Sequence, residues 1–464
     1  LERPKLSIGS TLVLQAIPEE LRQWFVEQLT IPNPKYKEAL DHGRSTYRVP
    51  EFIRVYKDLR NGGIEIPRGC LQLVEDALIG QGFGMLINDG RILTPPISVE
   101  SNIKLHPHQE AAKFPLLSHP NGMLVAPAAS GKTIIGLDLF ASLHQRTLWL
   151  THTNRLFKQV RERILQTFED ITPDEIGVLG GGKFKVGARI TIGMIPTLIR
   201  RLNDLPEVGR EFGLVILDEA HHAPASTFLE VLSYFASFYM YGLTATPHRR
   251  DGLEDVMFAS IGLPNSVINR QEVVDRGAII TPKVVVRNIR SANGFGYDYH
   301  EIVREILTCN VERTRLIVED ILREARAGHH CIIISTRKAY CELLYEILSK
   351  HWSKTAIATG DYTKTHNDLQ VNRLECDEIT VLVTTFELLG EGFDVKKLDR
   401  GFLVLPFKEK SRVEQAVGRI QRSCEGKKEA VLYDYVDIDI GMLKNQFFTR
   451  ALTYRKLGME IVNA

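Results

Sequence analysis

The sequence predicts an α/β chain of two tandem domains, each a parallel sheet covered by helices, with a small α+β domain in front. Two observations carry that reading. From Asn102 onward, short apolar runs alternate with amphipathic stretches of helical period, the pattern of a sheet buried on both faces, and the alternation restarts after Pro282. Residues 1–100 lack it and mix single strands, helices and turns. The expected divisions are therefore 1–100, 101–281, 282–440 and a closing segment 441–464.

Within the first division, residues 6–16 read as one strand and 18–29 as a helix, with Leu21, Phe25 and Leu29 at helical spacing. Gly62-Gly63 marks a turn, residues 64–69 an edge strand ended by Pro67, and 71–78 a helix. Lys35, Tyr36, Lys37, Arg44 and Arg48 suit either nucleic-acid engagement or a solvated face. The second division is expected to hold strands at 123–126, 147–150, 176–179, 189–193, 214–217 and 240–243. The third is expected to hold strands at 283–287, 331–335, 355–359, 380–384, 401–405 and 430–433. The tail 441–464 reads as a closing helix with Lys444, Arg450, Arg455 and Lys456 on a solvated face.

Bulk properties set limits. The 464 residues are 44% hydrophobic and 25% charged, with a formal net charge of +1. Residues 1–100 hold 12 Lys/Arg against 13 Asp/Glu, and the remainder 46 against 44. No bulk basic character announces nucleic acid, so any such site must come from local placement of Arg and Lys. The six cysteines form no C-x-x-C pair and read as reduced thiols of a cytoplasmic protein rather than a disulfide framework or zinc site. No run approaches 18 apolar residues, so no membrane span is expected.

The chemistry concentrates after the strand at 123–126. That run opens into Ala126-Pro127-Ala128-Ala129-Ser130-Gly131-Lys132-Thr133, and residues 134–143 read as a helix. Strand, small-residue turn and helix make a phosphate-binding loop. The unpaired N–H groups and dipole at the helix start favour an anion, Lys132 adds a point charge, and Thr133 offers a hydroxyl to Mg²⁺. Ala126 and Ala129 replace glycines usual in such loops, so the backbone there avoids positive φ or stores strain. Farther on, Leu214 to Leu217 run into Asp218-Glu219-Ala220-His221, which places two carboxylates at the sheet's carboxyl edge, where ligands bind in open α/β sheets. Asp218 suits Mg²⁺ and Glu219 suits the orientation and deprotonation of an attacking water. Gly242-Leu243-Thr244-Ala245-Thr246-Pro247 ends the next strand with small hydroxyl residues suited to sensing a γ-phosphate.

These three motifs, in this order, resemble the first motor domain of superfamily 2 helicases. The run from Gly242 to Gly252, which ends in Thr-Ala-Thr-Pro-His-Arg-Arg-Asp-Gly, is similar to the Rad25/XPB–UvsW type, which includes phage branch-migration helicases. The resemblance implies two RecA-like domains, ATP and Mg²⁺ as cofactors, and forked, branched or single-stranded DNA as partner. It further implies that Gln109, in Leu105-His106-Pro107-His108-Gln109, reads the adenine. Thr151, Asn154, Arg155, Gly182, Thr191 and Arg249 would grip a strand's backbone, and Thr244 and Thr246 would couple hydrolysis to movement.

In the third division, Thr384-Thr385-Phe386 through Glu391-Gly392-Phe393-Asp394 resembles the fifth motif, with Thr384 on the strand and Gly392 and Asp394 facing the nucleotide. Gln415-Ala416-Val417-Gly418-Arg419-Ile420-Gln421-Arg422 resembles the sixth. Gln415, Arg419 and Arg422 are expected on one helix face, with Arg419 and Arg422 acting as arginine fingers on the γ-phosphate. Arg200, Arg201, Arg337 and Lys408 are further candidates for the track, and Phe295 or Gly360-Asp361-Tyr362 for a strand-separating wedge. An RNA helicase and a nucleotide-gated clamp are the competing readings.

Overall fold

The computed structural model describes residues 3–463 except 81, 83, 128, 220–224, 246–252, 292–297 and 391–394. The chain divides into two compact units, Leu1–Asn269 and Arg270–Ala464.

The first unit begins with the α+β module. Its strands are β1 (Lys5–Ile8), β2 (Thr11–Gln15), β3 (Thr30–Pro32), β4 (Phe52–Arg54), β5 (Lys57–Asp58), β6 (Ile64–Pro67) and β7 (Leu86–Asp89). The single strand expected at 6–16 is instead a hairpin, with Leu6 opposite Leu14 and Ile8 opposite Leu12. The inward positions Leu6, Ile8, Leu12 and Leu14 keep a period of two across the turn, so alternation alone does not reveal it. Five strands form one sheet in the order β5-β6-β2-β1-β7. β6 therefore lies inside the sheet rather than at its edge, and Pro67 sits at its last position.

The module shares its core with the larger sheet domain that follows. Leu12, Leu14, Phe25 and Val74 pack in one cluster with Leu253, Val256 and Ala259. Buried Arg68 donates to Asn121 Oδ1 at 2.7 Å, to the Phe238 carbonyl at 2.6 Å and to the Ser237 carbonyl. A Cβ on Gly69 would lie 2.4 Å from the Gly262 nitrogen, so only glycine lets the two segments meet.

The larger sheet has eight strands: β8 (Asn121–Val125), β9 (Thr147–Thr151), β10 (Gly177–Gly180), β11 (Lys183–Lys185), β12 (Ile190–Met194), β13 (Leu214–Asp218), β14 (Tyr239–Thr244) and β15 (Pro264–Val267). Their order is β11-β10-β12-β9-β13-β14-β8-β15, and all pair in parallel except the β10–β11 hairpin. The six expected strands are present. The two unexpected ones are short edge strands without an apolar run, and β15 begins at Pro264, a residue tolerated at an edge or strand start. β13, β14 and β8 are neighbours, so the three motifs that follow them emerge side by side at one edge.

The second unit is built on seven parallel strands: β16 (Lys283–Ile289), β17 (Cys331–Ser335), β18 (Thr355–Ala358), β19 (Val381–Thr385), β20 (Arg400–Leu403), β21 (Val431–Asp437) and β22 (Ile461–Asn463). The order is β18-β19-β17-β20-β21-β16-β22. Alternate residues feed two cores: Ile332 and Leu382 pack in one, Ile333 and Val383 in the other. The closing helix spans only Gly441–Lys456, after which Gly458, at φ +71°, turns the chain back so that β22 joins β16. Arg450 departs from the expected solvated face. It is 1% exposed and grips Asp434 through two 2.8 Å bonds, because the helix lays that side on the sheet with Ala451 and Tyr454. All six cysteines are free thiols, three of them buried. Among the described residues no helix is long and apolar enough to cross a membrane.

Candidate active site

The phosphate loop sits between β8 and the helix Lys132–Leu143. Gly131 has φ +85°, and a Cβ there would lie 2.2 Å from Gln109 Nε2, so conformation and space both demand glycine. Ala129 adopts φ +67°, so this position stores strain of about 1–3 kcal/mol. Ala126 avoids positive φ. Gln109 accepts from the His106 N–H at 2.9 Å and donates to the Ser130 carbonyl at 3.0 Å, which ties its helix to the loop. Lys132 is largely buried, and its ammonium donates to the carbonyls of Ala126 at 3.1 Å and Pro127 at 3.5 Å. Among the described residues, Ser130 Oγ is buried without a hydrogen-bond partner. Ala128 lies outside the described residues.

The acids face this loop. Glu219 Oε1 is 3.9 Å from Lys132 Nζ, and Glu219 itself holds φ +52°, a left-handed conformation uncommon for its type. Burial and the neighbouring Glu219 push the Asp218 carboxyl well above the usual carboxylate range, against the pull of Lys132. Asp218 is buried and Glu219 half-buried at this edge, and a divalent cation held by Asp218 and Thr133 would meet the carboxyls there. The buried Ser130 hydroxyl and the strained loop beside Lys132 fit a polyphosphate with its metal ion.

A folded-state pKa raised above the unfolded value adds stability below about pH 4 that is lost as pH climbs toward neutrality. Asp218→Asn removes that loss. It is expected to raise the thermal midpoint of the unliganded protein at pH 7.5, by roughly 1 kcal/mol or more in stability. A melting curve unchanged from wild type would show that the carboxyl carries no such penalty.

Thr244, at the end of β14, is buried beside the acids' strand, whereas Thr246 and Arg249 lie outside the described residues. Thr151 ends β9, and the helix Asn154–Thr167 starts three residues later, capped by Thr153 Oγ1 on the Leu156 N–H. Arg155 is in its first turn. Asn154 joins Arg161, Lys183 and Lys185 around an open cavity of about 490 Å³ beside the Gly181-Gly182 turn, where both glycines have positive φ. The sequence reading misses Arg161, although it lies two turns after Asn154 on the same helix face. Thr191 does not join this group. It is fully buried near the start of β12, and its hydroxyl accepts from the Gly187 N–H at 2.9 Å.

In the second unit, Thr384 lies in β19 with a buried hydroxyl that has no hydrogen-bond partner among the described residues. Gln415 and Arg419 lie one turn apart on the helix Lys410–Ile420, and Arg419 donates to the Leu389 carbonyl at 3.0 Å. Arg422 corrects the expected helical face. The helix ends at Ile420, and Arg422 sits beyond it in an antiparallel bridge with Ile279. Gly392, Asp394 and Phe295 lie outside the described residues.

A phosphate loop, buried Asp218 with half-buried Glu219, and Thr244, at the ends of neighbouring parallel strands, define a P-loop nucleotide hydrolase. Two family models match: "Type III restriction enzyme, res subunit" over residues 102–249 and "Helicase conserved C-terminal domain" over residues 313–424. The chain is 25% identical over 369 residues to a putative ATP-dependent RNA helicase of Acanthamoeba polyphaga mimivirus, covering 77% of this chain and 69% of that one. It is 26% identical over 385 residues to the DNA 3'-5' translocase XPB2 of Sulfurisphaera tokodaii, covering 73% and 82%. The fold is similar to that of S. cerevisiae Dbp5 bound to RNA and ADP BeF3, at a TM-score of 0.56 and 17% identity, covering 78% of this chain and 90% of that one. The chain carries the two helicase domains of superfamily 2 and is an ATP-dependent nucleic-acid helicase of that superfamily.

Proposed function

We propose that this protein is an ATP-driven DNA helicase or translocase that acts on forked or branched DNA in recombination, repair or replication. The observation that carries the catalytic part is the approach of Glu219 to Lys132 with Asp218 buried beside them. In this reading Lys132 holds the outer phosphates of ATP, and Gln109 fixes the loop around them. Thr133 and Asp218 hold Mg²⁺, which when bound neutralises charge developing on the phosphoryl oxygens. Glu219 accepts the proton of the attacking water, and Arg419 and Arg422 stabilise the transferred group. Loss of the γ-phosphate removes contacts that favour one conformation, and Thr244 and Thr246 pass that change on.

Thr151, Asn154, Arg155, Gly182, Arg249, Thr384 and Phe295 are the proposed DNA contacts, with Arg161, Lys183 and Lys185 added by the cavity they line. Backbone contacts of this kind read no bases, so binding is expected to be sequence-independent and to weaken with salt. The choice of branched DNA rests on the Rad25/XPB–UvsW-like run from Gly242 to Gly252. RNA is the second reading, favoured by the viral relative named for RNA.

Steady-state ATPase with a four-way junction, a fork, single-stranded DNA and RNA separates the two. Strongest stimulation by the junction or fork is expected. Stimulation mainly by RNA would replace this reading with the second.

A further inference from the structure

The segment bearing Arg422 has no regular secondary structure of its own, yet a hydrogen bond holds the backbone at each residue from Ile420 to Ser423. The Gln421 carbonyl accepts from the Ile280 N–H at 2.6 Å, and the Ser423 N–H donates to the Ala278 carbonyl at 3.3 Å. The carbonyls of Ile420 and Arg422 accept from one side chain, the ammonium of Lys427, at 2.6 and 2.7 Å. The same ammonium donates to the Leu398 carbonyl at 2.6 Å and more weakly to that of Lys396 at 3.3 Å. Three short bonds match the three N–H groups of an ammonium. Ile420 is the last residue of its helix, so its carbonyl is one that the helix leaves unpaired, and a cation there also meets the negative end of the helix dipole. Lys427 thus ties the end of the arginine-bearing helix to the segment that follows residues 391–394.

We propose that Lys427 is a positioning residue for ATP hydrolysis, fixing the backbone at Arg422 and thereby the aim of its guanidinium. This rests on the reading of Arg422 as a group that acts on the phosphates. A compact ammonium suits the task because its donors diverge toward carbonyls on different sides, which a planar guanidinium cannot copy. Burial holds the Lys427 pKa down to about 8, with Arg400 and Arg422 adding repulsion and Asp399 and Cys424 opposing it. Rising pH therefore removes one donor and the charge within reach of ordinary assay conditions.

The test is ATP turnover of the full chain, with its best-stimulating polymer, in wild type, Lys427→Met, Lys427→Gln, Arg422→Ala and the Lys427→Met/Arg422→Ala double variant. Misplacing a catalytic group by about 1 Å costs on the order of 10²-fold, so Lys427→Met is expected to lower kcat by that order with little change in KM for ATP. Lys427→Gln, which keeps two N–H donors but no charge, is expected to fall between wild type and Lys427→Met. In the double variant, loss of Lys427 is expected to add nothing to the loss caused by Arg422→Ala. Wild-type kcat is expected to fall as pH rises past about 8, and that limb should vanish in Lys427→Met.

Wild-type kcat in a folded Lys427→Met or Lys427→Gln, beside a large loss in Arg422→Ala, would overturn the positioning role and leave Arg422 standing. Multiplied losses in the double variant would overturn the route through Arg422. Unchanged turnover in Arg422→Ala would overturn the reading of Arg422 itself. If neither lysine variant folds, a wild-type profile flat through pH 8 would overturn the proposal.

Discussion

Glu219→Gln is expected to lower ATP turnover by about 10²–10⁴-fold, the range for loss of a positioned general base, while ATP still binds. Glutamine keeps the shape of the side chain and its contact with Lys132, so the loop and Asp218 keep their places. What it lacks is the capacity to accept the proton of the attacking water. Glu219 holds φ +52° at the end of β13, and glutamine meets the same backbone cost there, so stability should hardly change. Turnover is measured at saturating ATP and polymer, and nucleotide affinity separately by equilibrium binding. Wild-type turnover in Glu219→Gln would show that another group takes the proton. Loss of binding together with turnover would show that the pair with Lys132 is structural.

The largest effect on stability is expected at Arg450. Burial alone would lower its pKa, yet Asp434 and Tyr454 hold it above the ordinary arginine value, the mark of a closely matched pair. Arg450→Ala leaves the Asp434 carboxylate buried and uncompensated, which typically costs about 3–5 kcal/mol. Asp434→Asn on top of it should recover part of that loss, because the remaining amide carries no charge. Arg455, on the exposed side of the same helix, should tolerate alanine within about 0.5 kcal/mol. Urea unfolding of the full chain followed by tryptophan fluorescence gives all three. Equal small effects at Arg450 and Arg455 would contradict the buried pair.

The parallel sheets were legible because fully buried strands write themselves as apolar runs, and the site because its small residues, acids and lysine fall at strand ends. Contacts distant in sequence were not. Nothing near Arg450 tells that Asp434 lies beneath it, since a cation on an amphipathic helix reads as solvated unless its partner is known. Ser10 falls in phase with the inward leucines around it, which hid the hairpin. Arg422 stands at helical spacing from Arg419, but Ile279 draws it into a bridge beyond the helix end. Lys427 follows Gly426 among polar residues and has the composition of an ordinary turn. Its role is visible only when four carbonyls are seen to converge on it.

The most direct test of the central claim is ATP-dependent strand displacement from a four-way DNA junction, with wild type and Glu219→Gln side by side and an RNA duplex as comparison. The account predicts displacement by wild type that requires ATP and Mg²⁺, weak or no action on the RNA, and none by Glu219→Gln although it binds the junction. Displacement without ATP, or equal displacement by Glu219→Gln, would contradict it.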